Sequence, residues 1–380
     1  MGRRLLVADA VMVRYRELLL TALAVLVLSV ALGVGALFAG TRIVADAAEA
    51  VAETSERVDL TPPPVFLWAL PTSGERVDAV SFVFVGDVML DRTVASRIRR
   101  TGDDAYPFAM VMSDPRFTDA DVHVMNLEGP VTTHRAGPDK GEVDFMFDPR
   151  FVPVLKAVGF DAASQANNHA YDQGATAAEA SRRLLSDGGL LVFGDEVDEG
   201  DVAFATTTVR GRRIAFVGFN ETASKLDETV ASSTLALARR NADTVIAFMH
   251  WGAEYQDRPT RAVQERAHWL IDHGVDIVVG GHPHWTQGIS VYDGKPILWS
   301  LGNFVFDQDW STKTGDGLAV RILVSGQETS IELNPVRIDA SQPRFLDGDE
   351  RDVRLRDLAT VSDASLTHQI LQGNIVIPKE

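Results

Sequence analysis

Seven side chains in this 380-residue sequence sit at the ends of apolar runs, where chemistry is commonly placed. Asp87 follows the run Ser81 to Val85, and Glu128 follows Val122 to Met125. Asn168 and His169 follow Phe160 to Ala166, and His250 follows Thr244 to Met249. His282 and His284 follow Asp276 to Val279 in the string Gly280-Gly281-His282-Pro283-His284. All seven offer oxygen or imidazole donors, the set suited to hard-to-borderline divalent metals. His282 and His284 lie on one turn, so they can reach adjacent ions, and the proline between them restricts that loop in advance. Of the nine histidines, His268 and His273 lie in an amphipathic helix, and His123, His134 and His368 are isolated. A lone histidine is ordinarily structural or at the surface. Four histidines beside two carboxylates and an asparagine point to a metal site instead.

The elements that must position these residues are legible. Each run is rich in β-formers and breaks into a polar loop, the pattern of a buried strand. Ala175 to Ser186 and Thr260 to His273 read as helices between strands, with Thr260 as N-cap. Strands alternating with helices argue an α/β domain, whose functional groups gather at the carboxyl ends of strands. Further on, Gly288 to Tyr292 and Ile297 to Ser300 flank Asp293-Gly294 as a hairpin. Gly317 to Val324 and Thr329 to Ile338 read as another. The sheets are therefore expected to be mixed.

Supporting residues have two readings each. Asp172 either orients His169 or caps the helix that follows. Arg92 either clamps an anionic substrate or makes a surface salt bridge. Trp251 and Trp285, each after a candidate ligand, either wall a cleft or pack. Glu254, Asn303 and Asp307 are candidates to support the ligands from behind.

Composition narrows the function. Lys plus Arg total 36 and Asp plus Glu 53, a formal charge of −17. That excludes a general nucleic-acid binder, which needs a basic face. There is no cysteine, which excludes disulfides, thiolate metal sites and cysteine nucleophiles. Leu18 to Thr41 is free of charge over 24 residues. As a helix it would run about 36 Å, enough for a ~30 Å hydrocarbon core. Arginines precede it and acids follow it, which predicts a cytoplasmic N-terminus and an extracytoplasmic main domain. The expected location is the cell membrane, with a single pass. The expected segments are a cytoplasmic N-terminus (1–17), a transmembrane anchor (18–41), a linker (42–80), the main domain (81–340) and a C-terminal extension (341–380).

Six ordered strings carry a family likeness: VGDVMLDR (85–92), NLEGPVT (126–132), ANNHAYDQG (166–174), MHWGAEY (249–255), GGHPHWTQG (280–288) and SLGNFVFDQ (300–308). On these the chain resembles the CapA/PgsA family of capsule or poly-γ-glutamate synthesis proteins, a branch of the calcineurin-like metallophosphoesterases. The resemblance implies an α/β fold, a four-layer α/β/β/α metallophosphoesterase-like sandwich with mixed sheets, preceded by one N-terminal transmembrane helix. It implies a cofactor of two divalent metal ions, Mn, Fe or Zn. Asp87 and His284 match ligands of the first ion, and Asn168, His250 and His282 match ligands of the second. Glu128 matches the bridging carboxylate, and His169 a substrate contact or acid. His169, Asp172 and Arg92 are thus the expected catalytic set. Two departures stand out from the parent superfamily. Met89 replaces a ligand histidine, and Glu128 in Asn-Leu-Glu replaces the aspartate of Gly-Asp.

Two functions compete on these grounds. One is a metal-dependent hydrolase acting on a phosphoester, ester or amide. The other is a non-catalytic polymer-binding or export subunit of a capsule synthase. The expected partners are the membrane, other membrane subunits of a capsule or poly-γ-glutamate synthase, and an anionic polymer or phosphoester or amide substrate, with no nucleic acid.

Overall fold

A computed structural model describes residues 79–134, 144–194, 204–222 and 224–379. The chain divides into two units, Met1–Gly74 and Glu75–Glu380. The first lies outside the described residues, as do the expected anchor and most of the expected linker.

The first half of the second unit alternates strands and helices: β1 (Val80–Val88), α1 (Arg92–Thr101), α2 (Pro115–Thr118), β2 (Val122–Leu127), α3 (Phe151–Val158), β3 (Ala162–Ser164), α4 (Ala175–Asp187) and β4 (Leu191–Phe193). Next come β5 (Phe204–Val209), β6 (Arg212–Glu221), α5 (Glu228–Asn241), β7 (Thr244–Trp251), α6 (Arg261–Asp272) and β8 (Ile277–Gly281). Short strands β9 (Ile289–Tyr292), β10 (Lys295–Leu298) and β11 (Asn303–Val305) lead to the long pair β12 (Asp316–Val324) and β13 (Glu328–Asp339). The chain closes with β14 (Gln342–Phe345), α7 (Gly348–Val361), α8 (Thr367–Gln372) and β15 (Asn374–Pro378).

Two mixed sheets result. One runs β14-β13-β12-β1-β2-β3-β4, with β11 beside β1 and β15 beside β13; the other runs β5-β6-β7-β8-β10-β9. Strands β1 to β4 pair in parallel, while β12 pairs antiparallel with both β1 and β13. The expected hairpin at Asp293-Gly294 forms between β9 and β10. Residues after 341 are part of the sheet, since β14 and β15 both pair with β13.

Burial on both faces explains the apolar runs. In β1, Phe82 and Phe84 point into the cluster between the sheets, and Val83 and Val85 into the cluster under α1 to α4. In β7, Ile246 and Phe248 face the intersheet cluster, while Val245, Ala247 and Met249 face α5 and α6. Period-2 alternation thus sends alternate residues to opposite sides. The clusters order the layers as helices, sheet, sheet, helices. Phe84 meets Phe248 across the two sheets, their ring centroids 6.4 Å apart.

The expected membrane location needs correction. Among the described residues no helix is long and apolar enough to cross a membrane. The longest, α5 and α7, have 14 residues, about 21 Å at about 1.5 Å per residue, short of a ~30 Å hydrocarbon core. Both bury one face and expose the other. The single-pass location, with a cytoplasmic N-terminus and an extracytoplasmic domain, therefore finds no support, and residues 18–41 lie outside the described residues.

Candidate metal centre

The site begins where β1 leaves its regular pairing. The register against β2 shifts between Phe84 and Asp87, and against β11 between Asp87 and Val88. Such an irregularity re-aims a side chain. It brings Asp87 level with Asn126 on one side and Asn303 on the other. The close approach needs Gly86, because a Cβ there would stand 1.9 Å from the Gly302 carbonyl oxygen. Asp87 is fully buried. Its Oδ1 accepts from Asn126 Nδ2 at 2.8 Å, and its Oδ2 accepts from the backbone N–H of His282 at 3.3 Å. Gly281 keeps the floor open, since a Cβ there would lie 2.8 Å from Asp87 Oδ1.

Glu128 follows β2, with its N–H donating to Val88 O at 2.9 Å. Its side chain is fully buried, and neither carboxylate oxygen has a hydrogen-bond partner among the described residues. His284 Nε2 lies 3.8 Å and His169 Nε2 3.9 Å from Oε1, beyond hydrogen-bond range. Asp87, Glu128 and His250 each bring a ligand atom within 4.8 Å of the others.

His250 is the penultimate residue of β7, its Nε2 2.8 Å from Asn168 Oδ1 and its Nδ1 3.3 Å from Asn126 Nδ2. His282 and His284 follow β8 with φ of 90° and 56°. Non-glycine residues rarely adopt such angles, and they concentrate at functional sites. Arg92 and Tyr255, at φ of 51° and 60°, share the feature and the cleft. The His282 ring lies 4.9 Å from that of His250 and 6.0 Å from that of His284. His284 Nδ1 donates to Asn303 Oδ1 at 2.9 Å, the kind of contact that orients a ligand imidazole. His282 Nδ1 is buried without a hydrogen-bond partner among the described residues.

Electrostatics follow from this crowding. Burial, and then the Asp87 charge, push the Glu128 carboxyl well above its usual range. Burial and the neighbouring His282 push His250 well below its usual value, while burial and His284 bring His282 down to about 4. Burial opposes the charged form of His284 too, but Glu128 and Asp87 outweigh it and raise it to about 9. A cation among these donors would favour ionised Glu128 and neutral imidazoles. The donor set and the unpartnered atoms of Glu128 and His282 fit a divalent ion.

The expected catalytic set lies on the open side. His169 Nδ1 donates to Asp172 Oδ2 at 2.8 Å, and its ring packs 4.1 Å from that of Phe145. Asp172 also accepts the Phe145 N–H at 2.6 Å. It does not cap α4, whose N-cap is Gly174. Arg92 makes the ion pair of one of its two readings, with Asp307, and lines the cleft, its guanidinium 5.0 Å from the Phe145 ring centre. The cleft is a cavity of about 390 Å³ whose walls include Arg92, Asn168, His169, Glu254, Tyr255 and His284.

Other residues separate from the site. Met89 is buried in the core under α1 to α4, and its sulfur accepts the Asp91 N–H at 3.0 Å. Trp251 faces the outer core and donates to Trp299 O at 3.0 Å, so it packs. Two asparagines that sequence reasoning did not single out prove central. Asn167 Nδ2 donates to Asn126 Oδ1 at 3.0 Å, and Asn126 in turn touches both Asp87 and His250. Their signal was position, each standing beside a candidate ligand at a strand end.

Comparison with known proteins matches residues 81–308 to a family described as bacterial capsule synthesis protein PGA_cap. The PGA biosynthesis protein CapA of Bacillus subtilis (strain 168) is 32% identical over 304 residues, covering 73% of this chain and 78% of that protein. The capsule biosynthesis protein CapA of Bacillus anthracis is 30% identical over 296 residues, covering 72% and 71%. A hypothetical protein from Thermus thermophilus, known from its crystal structure, aligns at a TM-score of 0.40 and 17% identity. That alignment covers 69% of this chain and 95% of that one.

Proposed function

The chain belongs to the bacterial capsule synthesis protein family PGA_cap, and from that we propose that it serves synthesis of a capsule polymer of the poly-γ-glutamate kind, through a metal-dependent hydrolase centre on a metallophosphoesterase-like sandwich. The observation that carries this reading is Glu128. An ionised carboxylate buried with neither oxygen hydrogen-bonded is costly unless a counter-charge meets it. Its neighbours are imidazoles, of which the protonated His284 stops 3.8 Å away without a hydrogen bond, so the counter-charge that fits both oxygens is a metal ion. Asp87, Glu128, Asn168, His250, His282 and His284 are the residues that would hold two divalent ions. When bound, the metal supplies a Lewis acid and an acidified water.

The chain's own residues supply the rest. Asp172 holds the proton of His169 on Nδ1, which leaves Nε2 to exchange a proton with a leaving group in the cleft. Arg92, held by Asp307, gives the cleft wall a fixed positive charge for an anionic phosphoester or a carboxylate-bearing amide. Asn126 and Asn167 keep Asp87 and His250 in place.

Met89 favours keeping a second reading, a polymer-binding or export subunit without turnover, because its buried sulfur leaves the first ion one imidazole short. Hydrolysis separates the two. Protein loaded with Mn²⁺ should hydrolyse a generic phosphodiester or a γ-glutamyl amide, stop when a chelator is added, and resume when Mn²⁺ is restored. Metal-loaded protein inert towards both substrates would replace the hydrolase reading with the binding one.

A further inference from the structure

Beside the metal cleft lies a second cavity of about 340 Å³, and none of the candidate ligands lines it. Three loops build both cavities. The loop after β7 gives Tyr255 to the cleft and Asp257 to the second cavity. The loop after β8 gives His284 to the cleft and Trp285 to the second cavity. The loop after β11 gives Gln308 to the cleft and Lys313 to the second cavity. On the first two loops the linings are two positions and one position apart, at most about 7 Å of extended backbone. Aromatic rings stand at the divide, with Tyr255 6.1 Å from Trp285 and 5.0 Å from the exposed Trp310, centroid to centroid.

The chemistry of the second cavity differs from that of the cleft. Its apolar wall includes Trp285, Leu318, Pro335 and Leu358. The Trp285 indole nitrogen is buried and has no acceptor among the described residues, so the ring offers the cavity its apolar face. Its charged groups are held in ion pairs. Arg337 and Arg354 both hold Asp316, and Arg354 also reaches Asp357 at 3.1 Å. Arg258 spends its guanidinium on the backbone carbonyls of Thr360 and Val361. Lys313 sits 4.3 Å from the Trp285 ring centre and pairs with Asp257. Among the lining residues Lys313 and Arg354 thus stand against Asp257, Asp316 and Asp357, and Lys313 is the more exposed of the two cations. The Lys313–Asp257 pair is about half exposed on both sides. Such pairs are weak, so the ammonium can turn to an incoming carboxylate.

We propose that this cavity is a binding subsite for the next unit of a carboxylate-bearing, amide-linked chain whose preceding unit lies in the metal cleft. The methylenes of that unit lie against Trp285 and Leu358, and its carboxylate meets Lys313. The assignment rests on the polymer reading above and adds to it a ligand of at least two units.

Calorimetry of the full chain with γ-linked glutamate oligomers of graded length, from single glutamate upward, tests it. In the wild type, affinity should rise with length and then level off. Lys313→Glu should weaken binding of the longer oligomers on the order of ten-fold or more, while single glutamate binds as before. Thr360→Trp, which sets a ring at the exposed mouth of the cavity, should act the same way. Long oligomers bound equally by the wild type and both variants would overturn the subsite and leave the polymer reading standing. A wild type that binds no oligomer of any length would overturn both.

Discussion

His169→Ala keeps its metal and loses turnover by on the order of 10²–10⁴-fold, the usual contribution of a positioned acid–base group. The expectation follows from geometry. His169 Nδ1 is committed to Asp172, and its Nε2 stops 3.9 Å from Glu128, facing the cleft. It therefore stands beside the candidate ligands without being needed among them. The check is paired: metal content by elemental analysis and hydrolysis of a phosphodiester by the same preparation. Asp172→Asn should lower turnover less, because the imidazole keeps a polar neighbour that can still orient it. A His169→Ala protein with unchanged turnover would remove the residue from the reaction. One that loses its metal would make it a ligand.

Glu128→Gln abolishes the stabilisation that metal gives. A ligand that binds only the folded chain adds about 4 kcal/mol when present at roughly a thousand times its Kd. For a domain of this size that is roughly 10 °C in Tm, at ~2–4 °C per kcal/mol. Wild-type protein should show such a rise with Mn²⁺ and lose it with a chelator, whereas the variant should show almost none. Without metal, the variant should be no less stable than the wild type, because neither Glu128 oxygen holds a hydrogen bond that the change could break. The pH dependence follows from linkage. Burial and Asp87 raise the Glu128 carboxyl in the folded state. Between its unfolded value and that raised value the folded chain therefore binds more protons, so metal-free stability falls as pH rises. Gln cannot ionise, so the variant lacks that contribution to the slope. A full metal-induced rise in Tm in Glu128→Gln would show that the carboxylate is not a ligand.

The strand ends were readable because each combines an apolar run with an abrupt polar loop. The runs at 81–85, 122–125, 244–249 and 276–279 all lie within or next to observed strands. The run at 160–166 shrinks to a three-residue strand, since the chain turns out of the sheet to present Asn168. Thr260 caps α6 as expected, accepting from the Val263 N–H. Less was legible where burial is partial. Helix α1 carries three arginines after its first residue and buries only Val94, Ala95 and Ile98. Strand β5 is half exposed along its length.

Within the site, residue type identified the donors, but their supports depend on partners distant in sequence. Asn126 acts on Asp87 from 39 residues away and on His250 from 124. Arg92 meets Asp307 across 215 residues. Trp251 and Trp285 each follow a candidate ligand, yet one belongs to a strand that buries it and the other to a loop beside a cavity. The uncharged run at 18–41 stands out by length and lack of charge; it lies outside the described residues, among which no helix is long and apolar enough to cross a membrane.

Metal stoichiometry tests the centre most directly. Full-length protein should be stripped, reloaded with Mn²⁺, passed through a desalting column and analysed for metal, alongside His282→Ala. The expected result is metal retained by the wild type, up to two ions per chain, and markedly less in His282→Ala, whose lost imidazole carries a buried nitrogen with no other partner. A wild type that emerges without metal, or a His282→Ala protein that retains as much as the wild type, would contradict the assignment of these residues to a metal centre.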